Sequence, residues 1–124
     1  MTEAFTTLMT TLSGYTHPLF TDATWPGRAV LGGVPLPGGA LVGLMGGLAE
    51  QSGLFDGAPV VLAGFQDVRF RHPVLVGDTI WVDVVVVAKE TSSSGQGRVE
   101  VDWTARNQHG NQVASVRARF AVIG

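Results

Sequence analysis

Apolar positions divide the chain in two. Near the start, Phe5, Leu8, Met9 and Leu12 fall at i, i+3, i+4 and i+7, the spacing of one helix face. Thr2 stands where an N-cap is wanted, and Gly14 where the helix would stop. The interior threonines are weak helix formers, so packing has to hold this helix. From Tyr15 to Pro37 no period is visible. Pro18, Pro26, Gly27, Gly32, Gly33, Pro35 and Pro37 predict one long loop, which in a compact domain serves a function or covers something. A second helix is predicted to start at Gly38 and end before Gly53. Leu41, Leu44, Met45 and Leu48 form its stripe. Ala40, Val42, Gly43, Gly46, Gly47 and Ala49 occupy the other faces, and no charge appears until Glu50. A helix apolar all round is expected to be buried, its glycines admitting close neighbours.

The second half reads as strands. Val60–Phe70 is the first, ended by Pro73 and Gly77-Asp78. Thr79–Lys89 follows, with Ile80, Val82, Val84, Val86 and Ala88 on one face, and Ser92–Gly97 is a flexible loop. Arg98–Asn107 alternates, with Val99, Val101, Trp103 and Ala105 inward and Glu100, Asp102, Thr104 and Arg106 outward. His109-Gly110 marks a tight turn. Ala114, Val116, Ala118, Phe120 and Val122 then line the core face of the last strand. Three long strands joined by short turns predict an antiparallel meander. An uncharged helix followed by such strands predicts an α+β fold, with a long central helix wrapped by an antiparallel sheet, as one domain over residues 1–124.

Composition narrows the partners. The 124 residues suffice for one hydrophobic core. With 45% apolar and only 15% charged residues, some surface is expected to be covered by an oligomer interface, most simply a homodimer. The net charge of −2 and the absence of a basic run argue against nucleic acid. With no cysteine, thiolate nucleophiles, disulfides and Cys-type zinc sites are excluded, and the three histidines lack metal-ligand spacing. No metal and no cofactor are expected. Met1 to Leu12 does not read as a signal peptide, and the apolar stretch Leu36–Leu48 is too short to span a bilayer. A cytoplasmic protein without a membrane partner is the expectation.

Two stretches carry a family resemblance. The first is Ser13-Gly14-Tyr15-Thr16-His17-Pro18-Leu19-Phe20-Thr21-Asp22, followed by Gly32-Gly33-Val34-Pro35-Leu36-Pro37-Gly38-Gly39-Ala40. It resembles the hydratase segment of the MaoC-like family within the hot-dog superfamily, roughly G-D-x-N-P-x-H-x-D and then G-G-R-x-x-H-G. The second, Val68-Arg69-Phe70-Arg71-His72-Pro73-Val74-Leu75-Val76-Gly77-Asp78-Thr79, resembles that family's R-F-x-x-P-V-x-x-G-D-T. The resemblance implies a single hot-dog domain, trimmed of the strand that usually precedes the first helix. It implies a lyase of the enoyl-thioester hydratase/dehydratase type, acting on a small-molecule acyl substrate bound to CoA or a carrier protein. In the family an Asp and a His five positions apart activate water, and the glycine opening the central helix offers its N–H to the thioester carbonyl, where a helix N-terminus favours developing negative charge.

Position by position, the chemistry departs from that pattern. The Asp position holds Tyr15, the His position Phe20 and the Asn position His17. The final Asp is kept as Asp22, the His before the helix glycine is Pro37, and Gly38 is kept. A Phe cannot transfer protons. One reading is a rebuilt catalytic set, with His17 as general base, Asp22 orienting it and Tyr15 as acid. The other is that His17 and Asp22 tie down the loop around Pro18 while Tyr15 fills the pocket. Phe20, Trp25, Gly38 and Gly39 are the candidate substrate-binding residues, and Trp81 and Trp103 are core, interface or pocket wall. Asp67 and Arg69, on one face of a strand, either reach the pocket or, the simpler expectation, form an ordinary ion pair, and His72 and His109 are expected to be surface residues. Three further functions stay open. One is a biosynthetic cyclase or isomerase on the same pocket. A second is a hot-dog thioesterase, although Glu50 of the central helix lies about 18 Å from Gly38 at roughly 1.5 Å per residue. The third is a non-catalytic subunit.

Overall fold

The computed structural model describes residues 1–22 and 24–123. Four helices precede four strands: α1 (Glu3–Leu12), α2 (Pro18–Thr21), α3 (Arg28–Leu31), α4 (Gly38–Gln51), β1 (Val60–Phe70), β2 (Trp81–Thr91), β3 (Gly97–Arg106) and β4 (Gln112–Val122). The strands form one antiparallel sheet in the order β1-β4-β3-β2. The meander β2-β3-β4 is therefore as expected. β2 lies two residues later than its pattern placed it, and the loop from Ser92 to Gln96 is closed by hydrogen bonds between its ends. There the Ser92 N–H reaches the Gln96 carbonyl at 2.8 Å, and the Ser92 hydroxyl accepts from the Gln96 N–H at 3.0 Å. Gly110, with φ +77°, makes the last turn possible.

α4 packs on β2 and β3. Ala40, Leu41, Met45 and Ala49 face Val101, Trp103, Val116 and Ala118 of the sheet, all buried. Gly46 is where close approach is required: a Cβ there would stand 3.4 Å from the Trp103 ring. The expectation that α4 is buried all round is corrected. Gly39, Gly43, Gly47 and Glu50 form an exposed face, because a single sheet covers a helix from one side only. The helix-facing side of β1 is also uncovered, with Leu62, Phe65 and Phe70 about half exposed.

α1 is capped by the Thr2 hydroxyl, which accepts from the Phe5 N–H at 3.0 Å. Its buried face is rotated from the one its pattern predicts: Phe5 and Met9 of that face are half-buried, Met9 against the core. Thr6 and Thr10 are buried, while Leu8 and Leu12 are 55% and 75% exposed. Small threonines let the helix lie close to the body, and the chain is held at its start by the Gly77 N–H on the Met1 carbonyl at 2.7 Å. The Thr6 hydroxyl is buried without a hydrogen-bond partner among the described residues.

The Gly77-Asp78 turn explains what its motif does. Gly77 takes φ +99°. Asp78 then accepts the Leu75 N–H at 2.9 Å and the Gln108 side-chain amide at 2.9 Å. These bonds hold Val74–Val76 against the segment leading into α4, through Leu36 N–H to Val74 carbonyl at 2.8 Å and Val76 N–H to Val34 carbonyl at 3.1 Å. The motif thus fixes where α4 begins. Asp67 takes φ +51° in a β1 bulge between Gln66 and Arg69, so simple alternation fails there. The expected Asp67–Arg69 ion pair is not among those of the described residues, which are Arg106–Asp83, Arg117–Asp102 and Arg119–Glu100. Among the described residues no helix is long and apolar enough to cross a membrane.

Candidate active site

The segment Tyr15 to Pro37, expected to be one loop, carries two single-turn helices. His17 caps α2 with Pro18 at the first helical position, where a missing N–H does no harm. Gly32, at φ +82°, ends α3. This segment presents four aromatic rings in series. Tyr15 and Phe20 lie 5.5 Å apart, His17 and Phe20 6.5 Å, and His17 and Trp25 5.4 Å, all edge to face. Trp25 folds over Gly27, whose Cβ would stand 2.1 Å from the indole.

α4 opens at Gly38 with Pro37 as N-cap and no side-chain cap bond. Helix geometry leaves the N–H groups of Gly38, Gly39 and Ala40 without intrahelical acceptors. Two side chains bracket this turn. A Cβ on Gly39 would stand 2.3 Å from the Tyr15 hydroxyl, and one on Gly38 would stand 3.1 Å from the Phe70 ring. Tyr15 therefore reaches the first turn of α4 from the loop. A cleft of about 370 Å³ lies beside Gly38, lined by Leu36, Leu41, Phe70, Arg71, His72 and Val74.

His17 and Asp22 are not joined in a dyad among the described bonds. The His17 Nδ1 accepts the Leu19 N–H at 3.0 Å, an assignment that puts the proton of the neutral ring on Nε2. Asp22 accepts both the Thr24 hydroxyl at 2.7 Å and the Thr24 N–H at 2.8 Å. Those two bonds, led by the hydroxyl, hold the Asp22 carboxyl below the usual carboxylate range, with Arg28 adding to the effect. Of the two readings of this pair, these bonds are those of loop ties, since each side chain closes a turn of its own backbone. His72 and His109 are both exposed, and His72 also borders the cleft.

Sequence reasoning missed Arg28. It is only 8% exposed, and its Nε and Nη2 both donate to the Leu19 carbonyl, at 3.3 and 2.8 Å. The bonds clamp α3 to α2. Its signal is weak but present: it is the one Lys or Arg between Tyr15 and Gly38.

The family model for the FAS1-like, dehydratase domain region matches residues 8–116, and the chain belongs to that family. Its fold is that of the MaoC-like hot-dog proteins. It is similar to a monoamine oxidase regulatory protein from Archaeoglobus fulgius, with 27% identity, TM-score 0.88, and 98% of this chain and 82% of that one covered. It is similar also to an (R)-hydratase from A. caviae involved in PHA biosynthesis, with 22% identity, TM-score 0.77, and coverage of 97% and 86%. A MaoC-like dehydratase from Rhodospirillum rubrum matches with 22% identity, TM-score 0.76, and coverage of 98% and 84%. A comparison with curated proteins finds no match.

Proposed function

We propose that this chain is a lyase of the hydratase/dehydratase type that binds an acyl thioester, carried on CoA or a carrier protein, with its carbonyl at the N–H groups of Gly38 and Gly39. The observation that carries this reading is the Tyr15 hydroxyl lying against Gly39. A phenol at the start of α4 supplies a proton donor beside the place where negative charge would develop on the thioester oxygen. Tyr15 stands where the family places its Asp, and Phe20, in the His position, packs on it as an apolar wall, while Trp25 packs on His17. His17 contributes its Nε2–H as a second protic atom, and Asp22 closes the turn that follows α2 through Thr24. A cavity of about 460 Å³ under the second half of α4, walled by Phe55, Trp103 and Phe120 with Glu50 and Asp56 also on its lining, offers room for an acyl chain along its aromatic side. It begins near Gly46, about 12 Å from Gly38 at roughly 1.5 Å per residue.

In this reading the working unit is a homodimer. The support is the uncovered apolar surface: the glycine face of α4, the helix side of β1, and Leu8 and Leu12 of α1. Light scattering then gives twice the 13.0 kDa chain mass.

Incubating the protein with enoyl- and 3-hydroxyacyl-thioesters of several chain lengths, followed by mass spectrometry, tests the reaction. A change by the mass of one water supports the lyase. Release of free thiol points instead to a thioesterase, and rearrangement without mass change to an isomerase or cyclase.

A further inference from the structure

The cleft beside Gly38 has a rim that the lyase reading leaves unused. Leu36, Leu41 and Val74 make its floor, all buried, and Phe70 forms one wall. The rim is Arg71 and His72, both exposed. In a regular strand two consecutive side chains point to opposite faces. Here the N–H groups of Arg71 and His72 both donate to the Val113 carbonyl, at 2.8 and 3.4 Å, the two-against-one pairing of a bulge. That pairing lets both residues border one cleft, and Pro73 stiffens the backbone behind them. Among the described residues three arginines hold carboxylates: Arg106 on Asp83, Arg117 on Asp102 and Arg119 on Glu100. Arg71 is in none of these pairs. On its other side it borders a second groove with Asp67 and Asp102, and there Asp102 is already held by two bonds from Arg117, at 2.8 and 3.1 Å. An arginine and a histidine that both border an apolar cleft can supply it with a site for a planar or tetrahedral oxyanion, which a guanidinium fork grips with two parallel bonds.

We infer that Arg71, with His72 beside it, is the anion-holding group of this cleft, and that the acyl ligand carries a phosphate or carboxylate seated there. The inference rests on the proposal that the thioester binds at Gly38. Such an anion has two sources, the phosphates of a CoA handle with the acyl chain under α4, or a carboxylate on an acyl group that turns into this cleft instead.

Three probes separate them: butyryl-CoA, succinyl-pantetheine and butyryl-pantetheine, the last carrying neither anion. Their dissociation constants are measured by calorimetry with the unaltered protein, Arg71→Gln, Arg71→Lys and His72→Gln. Arg71→Gln is expected to weaken an anionic probe by about tenfold, the scale of one charge-assisted contact, and to leave butyryl-pantetheine within about twofold. Loss confined to butyryl-CoA assigns the phosphate, and loss confined to succinyl-pantetheine assigns the carboxylate. Arg71→Lys, which keeps the charge and loses the fork, falls between, and His72→Gln loses less than Arg71→Gln. Equal weakening of all three probes by Arg71→Gln, or of none, overturns the assignment while the thioester reading stands. If the unaltered protein binds none of the three, the thioester reading itself fails and this assignment with it.

Discussion

Replacing Gly39 by Ala puts a methyl group where the Tyr15 hydroxyl now lies. The added Cβ would stand 2.3 Å from that oxygen, more than an ångström inside ordinary contact, and 3.5 Å from the ring carbon that bears it. Tyr15 cannot easily swing away. Its ring packs edge to face on Phe20, and its N–H is bonded to the Thr10 carbonyl at 3.1 Å. Overpacking of this kind costs about 1–3 kcal/mol. Against it stands the gain from replacing glycine by alanine in a helix, up to about 1 kcal/mol. The single variant is therefore destabilised by about 0–3 kcal/mol. In the Tyr15→Phe background the oxygen is gone and the remaining 3.5 Å contact is ordinary, so the same methyl group should stabilise the fold. The coupling between the two substitutions is then about 1–3 kcal/mol, well above the additivity error of about 0.5 kcal/mol for independent sites. Urea denaturation of the four proteins at one fixed concentration measures it. Coupling below about 0.5 kcal/mol would mean that the Tyr15 hydroxyl does not lie over the first turn of α4.

Other parts of the fold give further expectations. Thr6→Val removes a buried hydroxyl with no partner and should raise stability by about 1 kcal/mol; a loss of that size in thermal melts would show that the hydroxyl is bonded. Arg28→Met should loosen α2 from α3 and cost about 1–3 kcal/mol, with Trp25 fluorescence shifting as the loop opens; an unchanged melt and spectrum would mean that the clamp on Leu19 does not hold the loop. The Asp102 carboxyl is held below its usual range by its bond from Arg117. A lowered folded value gives stability that is full above the unfolded value near pH 4 and is lost as pH falls through the folded one. Both partners are more than a third exposed, so Asp102→Asn should cost no more than about 1 kcal/mol at neutral pH and flatten that acid limb; a larger loss would mean the pair is shielded from water.

The strands were legible because β3 and β4 follow period two with one face buried, and that face is set by alternation alone. α4 was legible for the same reason of simple patterning, down to its first residue. Other features depend on what lies beside them in space. Asp67 breaks the alternation of β1 through a bulge, and no local residue type announces a left-handed aspartate there. α1 turned a threonine face inward because of what it packs against, although its leucines marked the other side. The uncovered face of α4 was hidden in the sequence by its apolar composition, since a glycine reads alike whether it meets Trp103, as Gly46 does, or open space, as Gly43 does. Among the candidate site residues, Tyr15, Phe20 and the α4 glycines could be named from motif positions, and Trp25 from its place on the long loop. The contact of Tyr15 with Gly39 could not, because it joins a loop to a helix start more than twenty residues later. His17 and Asp22 looked like a pair by spacing, yet each had a nearer backbone partner.

The decisive measurement is turnover of a 3-hydroxyacyl- or enoyl-thioester by the unaltered protein and by Tyr15→Phe, with folding of both checked by circular dichroism. If Tyr15 is the proton donor at the start of α4, removing its hydroxyl should lower kcat by about 10²-fold or more while KM moves little. A Tyr15→Phe protein that turns over at the unaltered rate would contradict the central claim.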